Sequence, residues 1–108
     1  MSSDIPVFRV DKFIVPEVAK DDFLKRVHET PAILHQQPGF IRDLVLQQVT
    51  GPGRFNIVTL VEWASQEYMD AARMVVTKIH AERRFNPQET VARLGISADI
   101  GNYRQLSV

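Results

Sequence analysis

The sequence predicts an α+β fold built on an antiparallel sheet, and three observations carry that expectation. Stretches rich in β-branched and aromatic residues alternate with amphipathic helical ones. Two of the strand-like stretches are joined by a short glycine-rich turn, and capping or breaking residues stand at the junctions. A chain of 108 residues, 44% apolar and 24% charged, has the size and balance of one domain with one modest core, spanning 1–108.

The first strand is expected over Val7–Val15, where apolar and charged residues interleave until Pro16 withholds a ladder donor. Phe23, Val27 and Leu34 then recur at helical spacing, with Asp21, Asp22, Lys25, Arg26 and Glu29 on the opposite face. Pro31 removes a backbone bond from that helix, so a kink or break is expected near Thr30. Gln37-Pro38-Gly39 stops it. Phe40–Val49 and Phe55–Ala64 read as two strands of a hairpin around Gly51-Pro52-Gly53-Arg54. Ser65 is a natural N-cap for a helix whose buried stripe is expected to hold Tyr68, Ala72, Val75, Val76 and Ile79, with Met69 and Met74 filling gaps. Asn86-Pro87-Gln88-Glu89 starts a short helix that Gly95 closes, and a last strand is expected within 96–108. The order is βαββαβ with one extra helix, the ferredoxin-like arrangement with a four-stranded antiparallel sheet.

In the third strand Phe55, Ile57, Val61 and Trp63 point one way and Val58 and Leu60 the other. In the second, Phe40, Leu44 and Leu46 are set against Ile41, Val45 and Val49. A sheet with one wet face should alternate apolar and polar residues, and this one is apolar on both. Two helices cover one face only, so a homodimer joined sheet to sheet is expected.

Thirteen basic and thirteen acidic residues leave no net charge, which argues against a nucleic-acid partner. With no cysteine there is no disulfide framework, thiolate zinc site or thiol catalysis. Met1-Ser2-Ser3-Asp4 does not resemble a leader, and no stretch has the apolar length of a membrane span, so a cytoplasmic protein without membrane association is the expectation. Nucleophile elbow, Walker loop, dinucleotide fingerprint and HExxH are all missing.

Four residues are candidates for a site. His80 stands at the border of the helical stripe, where an imidazole can enter a helix-to-sheet cleft as a proton shuttle or a haem ligand, or simply bond a carbonyl or water. Asp11 interrupts the row of Val7, Phe13 and Val15; facing inward it is a candidate base, and the alternatives are a pair with Arg9 or Arg42 or an outward position. Trp63 can wall a pocket for a flat aromatic ligand or serve the core, and Tyr68 stands near it as a second substrate contact or as packing. His28 and His35 are two helical turns apart with Pro31 between them, too far to share one metal ion, and read as surface histidines.

The strand ending Phe13-Ile14-Val15, the helix around Asp22-Phe23-Leu24, Gln37-Pro38-Gly39-Phe40, Val61-Glu62-Trp63 followed by Ser65-Gln66-Glu67, and Ile79-His80-Ala81 together resemble the antibiotic biosynthesis monooxygenase domain over about residues 7–85. The resemblance implies a dimeric α+β barrel and oxidation of a small phenol or quinol by O2 with neither metal nor flavin, and it makes Asp11 or His80 the base. The family also holds haem-degrading members that use a helix-two histidine, a first-strand asparagine and a helix-two tryptophan. His80 matches the first of these, whereas Asp11 and a position near Asp70 replace the others. The alternative is a non-catalytic dimeric barrel that binds a small aromatic ligand or haem as a sensor, carrier or stress-response accessory.

Overall fold

The computed structural model describes residues 5–29, 31–84 and 86–107. Its elements are β1 (Val7–Ile14), a 3-10 turn (Glu17–Ala19), α1 (Lys20–Glu29), α2 (Pro31–Leu34), β2 (Phe40–Gln47), β3 (Ile57–Trp63), α3 (Gln66–Glu82), α4 (Pro87–Arg93) and β4 (Ser97–Arg104). All strand pairs are antiparallel and lie in the order β2-β3-β1-β4, so the expected ferredoxin-like α+β fold is present. The break expected near Thr30 falls outside the described residues, although α1 and α2 are separate helices on either side of it.

The caps behave as the sequence predicts. Ser65 Oγ accepts the Tyr68 N–H at 3.4 Å to open α3, and Asn86 Oδ1 accepts the Glu89 N–H at 3.1 Å to open α4 behind Pro87. The hairpin strands are shorter than expected. β2 stops at Gln47 and β3 begins at Ile57, which leaves Val49 in an exposed loop.

Val7 pairs with Trp63, Arg9 with Val61, Asp11 with Thr59 and Phe13 with Ile57, so these residues share the helix-covered face. Two apolar clusters hold the helices to it. Phe13, Val15, Ala19, Phe23, Ile57 and Ile96 form one, under α1 and α4; Val7, Trp63, Met69 and Ala72 form the other, under α3. Ile57 is completely buried, and the Phe13 and Phe23 rings meet edge to face at 4.8 Å.

One grouping made from the sequence is corrected. Phe40 pairs with Trp63 and Arg42 with Glu62, so Ile41 is an extra residue that resets the alternation of β2. Phe40, Asp43 and Val45 therefore share the helix side, while Leu44 and Leu46 point to the open face. Simple alternation placed Phe40 with Leu44 and Leu46, because a bulge has no marker in the pattern.

Asn56, just before β3, fastens that strand to the end of β1. Its side-chain amide accepts from the Val15 N–H at 2.8 Å and donates to the Val15 carbonyl at 2.9 Å, while its own N–H reaches the Phe13 carbonyl at 3.0 Å. The side chain continues the ladder where the strand has ended. Asn56→Ala leaves two partly buried backbone groups without these partners and is expected to cost about 1–3 kcal/mol in a denaturant titration. A loss below about 0.5 kcal/mol would mean that water replaces both bonds.

Candidate active site

Between the two apolar clusters the helix-covered face is polar. Two cross-strand rows make up this strip: Asp43, Val61, Arg9 and Asn102, then Val45, Thr59, Asp11 and Ile100. Alternation along β1 puts Arg9 and Asp11 on one side of the sheet two residues apart, and there the Arg9 Nε donates to Asp11 Oδ1 at 2.7 Å. Asp11 is thus inward and paired with Arg9, one of the two cations the sequence offered. Its guanidinium partner carries four more N–H donors on its Nη atoms, suited to an oxyanion.

α3 lies on this face rotated from the expected setting. Met69 and Ala72 are its buried residues, and Tyr68 and Val75 are 41% and 38% exposed rather than inside. Met74, expected to fill a gap, is 73% exposed. The reason is Tyr68, whose ring lies directly against Gly39, a glycine with φ of +82°. Seating that ring over the turn before β2 leaves Met69, not Tyr68, to enter the core.

The same rotation carries His80 inward. It shares the helix face of Met69 and Val76 and is half-buried about 16 Å along the axis from Met69. Burial first, and then the Arg83 guanidinium, lower the His80 pKa below its ordinary value. Both causes favour the uncharged imidazole, the form that acts as a base or a metal ligand.

Trp63 is 3% exposed, an edge-to-face partner of Phe40 at 5.7 Å, so its indole belongs to the core and reaches the strip only as part of that wall. The Tyr68 ring lies over the turn at Gly39. The structure thus brings Asp11 to the strip and His80 to the inner helix face, and sets Trp63 against Phe40 and Tyr68 against Gly39. The sequence reading missed Arg9 as more than a partner for Asp11, and it missed His35 and Asp43, whose side chains lie within 3.3 Å of each other. The Arg9 signal was its shared parity with Asp11. The His35–Asp43 contact joins residues across a turn and a bulge and had no local signal.

Among the described residues no group of three His, Cys, Asp or Glu side chains is placed to hold a metal ion, and no helix is long and apolar enough to cross a membrane. A porphyrin iron asks less, a single neutral imidazole, and His80 fits that requirement.

Comparison with known proteins agrees with the fold and extends it. The family model for antibiotic biosynthesis monooxygenase matches residues 6–74. A haem oxygenase (mycobilin-producing) of Mycobacterium tuberculosis is 32% identical over 91 residues, covering 83% of this chain and 85% of that protein. Among solved structures, the heme-degrader MhuD from the same organism, with two hemes bound in its active site, superposes with a TM-score of 0.70 at 24% identity over 94% of this chain and 98% of its own. SnoaB, a cofactor-independent oxygenase from Streptomyces nogalater, gives 0.68 at 22% identity over 96% of each chain. By the family match and the 32% identity, this chain belongs to the antibiotic biosynthesis monooxygenase family.

Proposed function

We propose that the protein is a cofactor-independent monooxygenase that oxidises a small phenol or quinol with O2 in the space between α3 and the polar strip. The observation that carries this reading is His80, an imidazole kept uncharged on the inner face of α3. In the proposed reaction His80 takes the phenolic proton, and Arg9 holds the resulting phenolate while Asp11 fixes the guanidinium. The phenolate passes one electron to O2. The resulting phenoxyl radical and superoxide combine at ring carbon, the His80 imidazolium returns its proton to the peroxide, and the hydroperoxide loses water to leave a quinone. One O2 is consumed; one oxygen atom enters the product and the other leaves as water. The apolar walls of Trp63, Phe40 and Val61 keep water from the anion.

We further propose that two copies assemble through the open sheet face. Phe8, Val10, Val58, Leu60, Leu44, Leu46 and Tyr103 share it by register, and no element of the described chain covers it. The chain is a slab of 48 × 41 × 17 Å with a radius of gyration of 14.7 Å, against about 13 Å for a compact chain of this length, as expected of one half of a larger body. Leu60→Glu would set a charge at the centre of that face, opposite Val10 and Leu44. It is expected to convert the dimer to monomers in sedimentation velocity; a wild-type protein already monomeric at tens of micromolar would refute the assembly.

The 32% identity to a haem oxygenase supports a second reading, in which His80 holds haem. Haem would then supply the oxygen-activating metal, and the chain's part would be to ligate it through His80 and to meet its charge with Arg9.

Oxygen uptake by the purified protein, with chelator, across a panel of phenols and quinols and then with haem plus reductant, separates the readings. Uptake with a phenol that persists under chelation supports the first. Haem bound with a visible-band shift that His80→Ala removes, and no uptake with any phenol, supports the second. Saturable quenching of Trp63 by an aromatic compound, with no uptake in either arm, would indicate the non-catalytic carrier or sensor.

A further inference from the structure

The strip has a second polar group at its β2 edge that the proposed reaction does not use. His35 follows α2 directly, and its Nε2 lies 3.3 Å from both Asp43 oxygens. The imidazole also packs on Phe40 with ring centroids 4.6 Å apart, and Phe40 in turn meets Trp63. The ring is thus set between a carboxylate on one side and an aromatic face on another. When Nε2–H donates to Asp43, the uncharged imidazole has its lone pair on Nδ1 and presents an acceptor there.

Asp43, Val61 and Arg9 are cross-strand neighbours in one row, which places the His35–Asp43 pair and the Arg9–Asp11 pair on the same face about two strand spacings, or 10 Å, apart with apolar Val61 between them. The two ends differ in kind. Arg9 offers only donors and suits an oxyanion; His35 Nδ1 offers an acceptor and suits a neutral hydroxyl. We propose that His35, fixed by Asp43, is a specificity-determining residue that accepts a hydrogen bond from a second hydroxyl on the far ring of the substrate, so that the preferred substrate is an elongated aromatic diol bound as its monoanion. This rests on the oxidation proposed above.

The test titrates the full-length chain with 2-naphthol and with 2,6-dihydroxynaphthalene, following Trp63 fluorescence and the ring-nitrogen resonances of His35. The wild-type protein is expected to bind the diol roughly five- to tenfold more tightly than the mono-ol, the value of one hydrogen bond. His35→Phe, which keeps an aromatic ring against Phe40, should bring that ratio to about one by weakening the diol alone. Asp43→Asn should shrink the ratio by releasing the tautomer. The His35 Nδ1 resonance should move with the diol and stay with the mono-ol, a response that a packing role would not produce. A ratio unchanged in both variants, or an Nδ1 signal indifferent to the diol, overturns the assignment and leaves the oxidation standing. Failure of both naphthols to bind the wild-type protein, with no oxygen uptake from any phenol, removes the oxidation and this inference with it.

Discussion

His80→Ala is expected to lower turnover of the phenolic substrate by about 10²- to 10⁴-fold, the usual contribution of a positioned general base, while the melting temperature moves little. The small thermal effect follows from position: His80 is half-buried on the second half of α3, whereas the residues that pin the helix to the sheet are Met69 and Ala72. The pH profile supplies a second reading of the same residue. Burial and Arg83 lower the His80 pKa, so the base form persists to more acid pH than for a free histidine, and the acid limb of the rate should lie below pH 6.5, near the pKa of an unperturbed histidine. Arg83→Gln removes the second cause and should move that limb upward, toward but not beyond the ordinary value. Stability must follow the same sign. The unfolded chain takes up the proton first as pH falls, so His80 costs nothing above the unfolded value, and stability declines from there until the folded pKa is passed. A limb above pH 6.5, or one that Arg83→Gln shifts downward, would remove His80 from the role of base. Full activity in His80→Ala would do so at once.

Most of the architecture could be read from the sequence because it depends on local chemistry. Ser65 and Asn86 cap, Pro87 opens and Gly95 closes, and each acts through backbone groups within a few residues. The two-faced apolar character of β3 was equally visible, since its alternation is uninterrupted from Ile57 to Trp63. What sequence reasoning missed depends on contacts between distant segments. The extra residue at Ile41 turns Phe40 and Asp43 to the helix side, and nothing within β2 marks it. The rotation of α3 is decided by Tyr68 settling on Gly39, 29 residues earlier in the chain, and hydrophobic spacing alone centred the stripe one residue away. The site inherits both effects. Rotation brings His80 to the inner face, and the bulge brings Asp43 under His35; the composition of the strip is therefore a tertiary result, although Asp11 stood out by interrupting an apolar row and His80 by its place at the border of the helical stripe.

Gly39→Ala is expected to destabilise the fold by about 3 kcal/mol or more. Two costs add. A φ of +82° is left-handed, and a side chain there costs about 1–2 kcal/mol. The new Cβ would also fall within the Tyr68 side chain, at its Cβ, Cγ and Cδ2, and overpacking of that kind costs about 1–3 kcal/mol. Neither partner has an easy way to yield. The Gly39 carbonyl accepts the Ala64 N–H at 2.8 Å, Ala64 precedes the Ser65 cap, and that cap takes the N–H of Tyr68 itself, so turn, cap and ring form a closed circuit at the start of α3. In calorimetry the change should appear as a fall of roughly 10 °C or more in Tm. Tyr68→Ala provides the control, because it removes the ring carbons but leaves both Cβ and the backbone angle. In that background Gly39→Ala should cost about 1 kcal/mol less, a coupling that two independent sites would not show. Additive effects would mean that the glycine is required for its backbone angle alone, and the rotation of α3 that carries His80 inward would then need another cause.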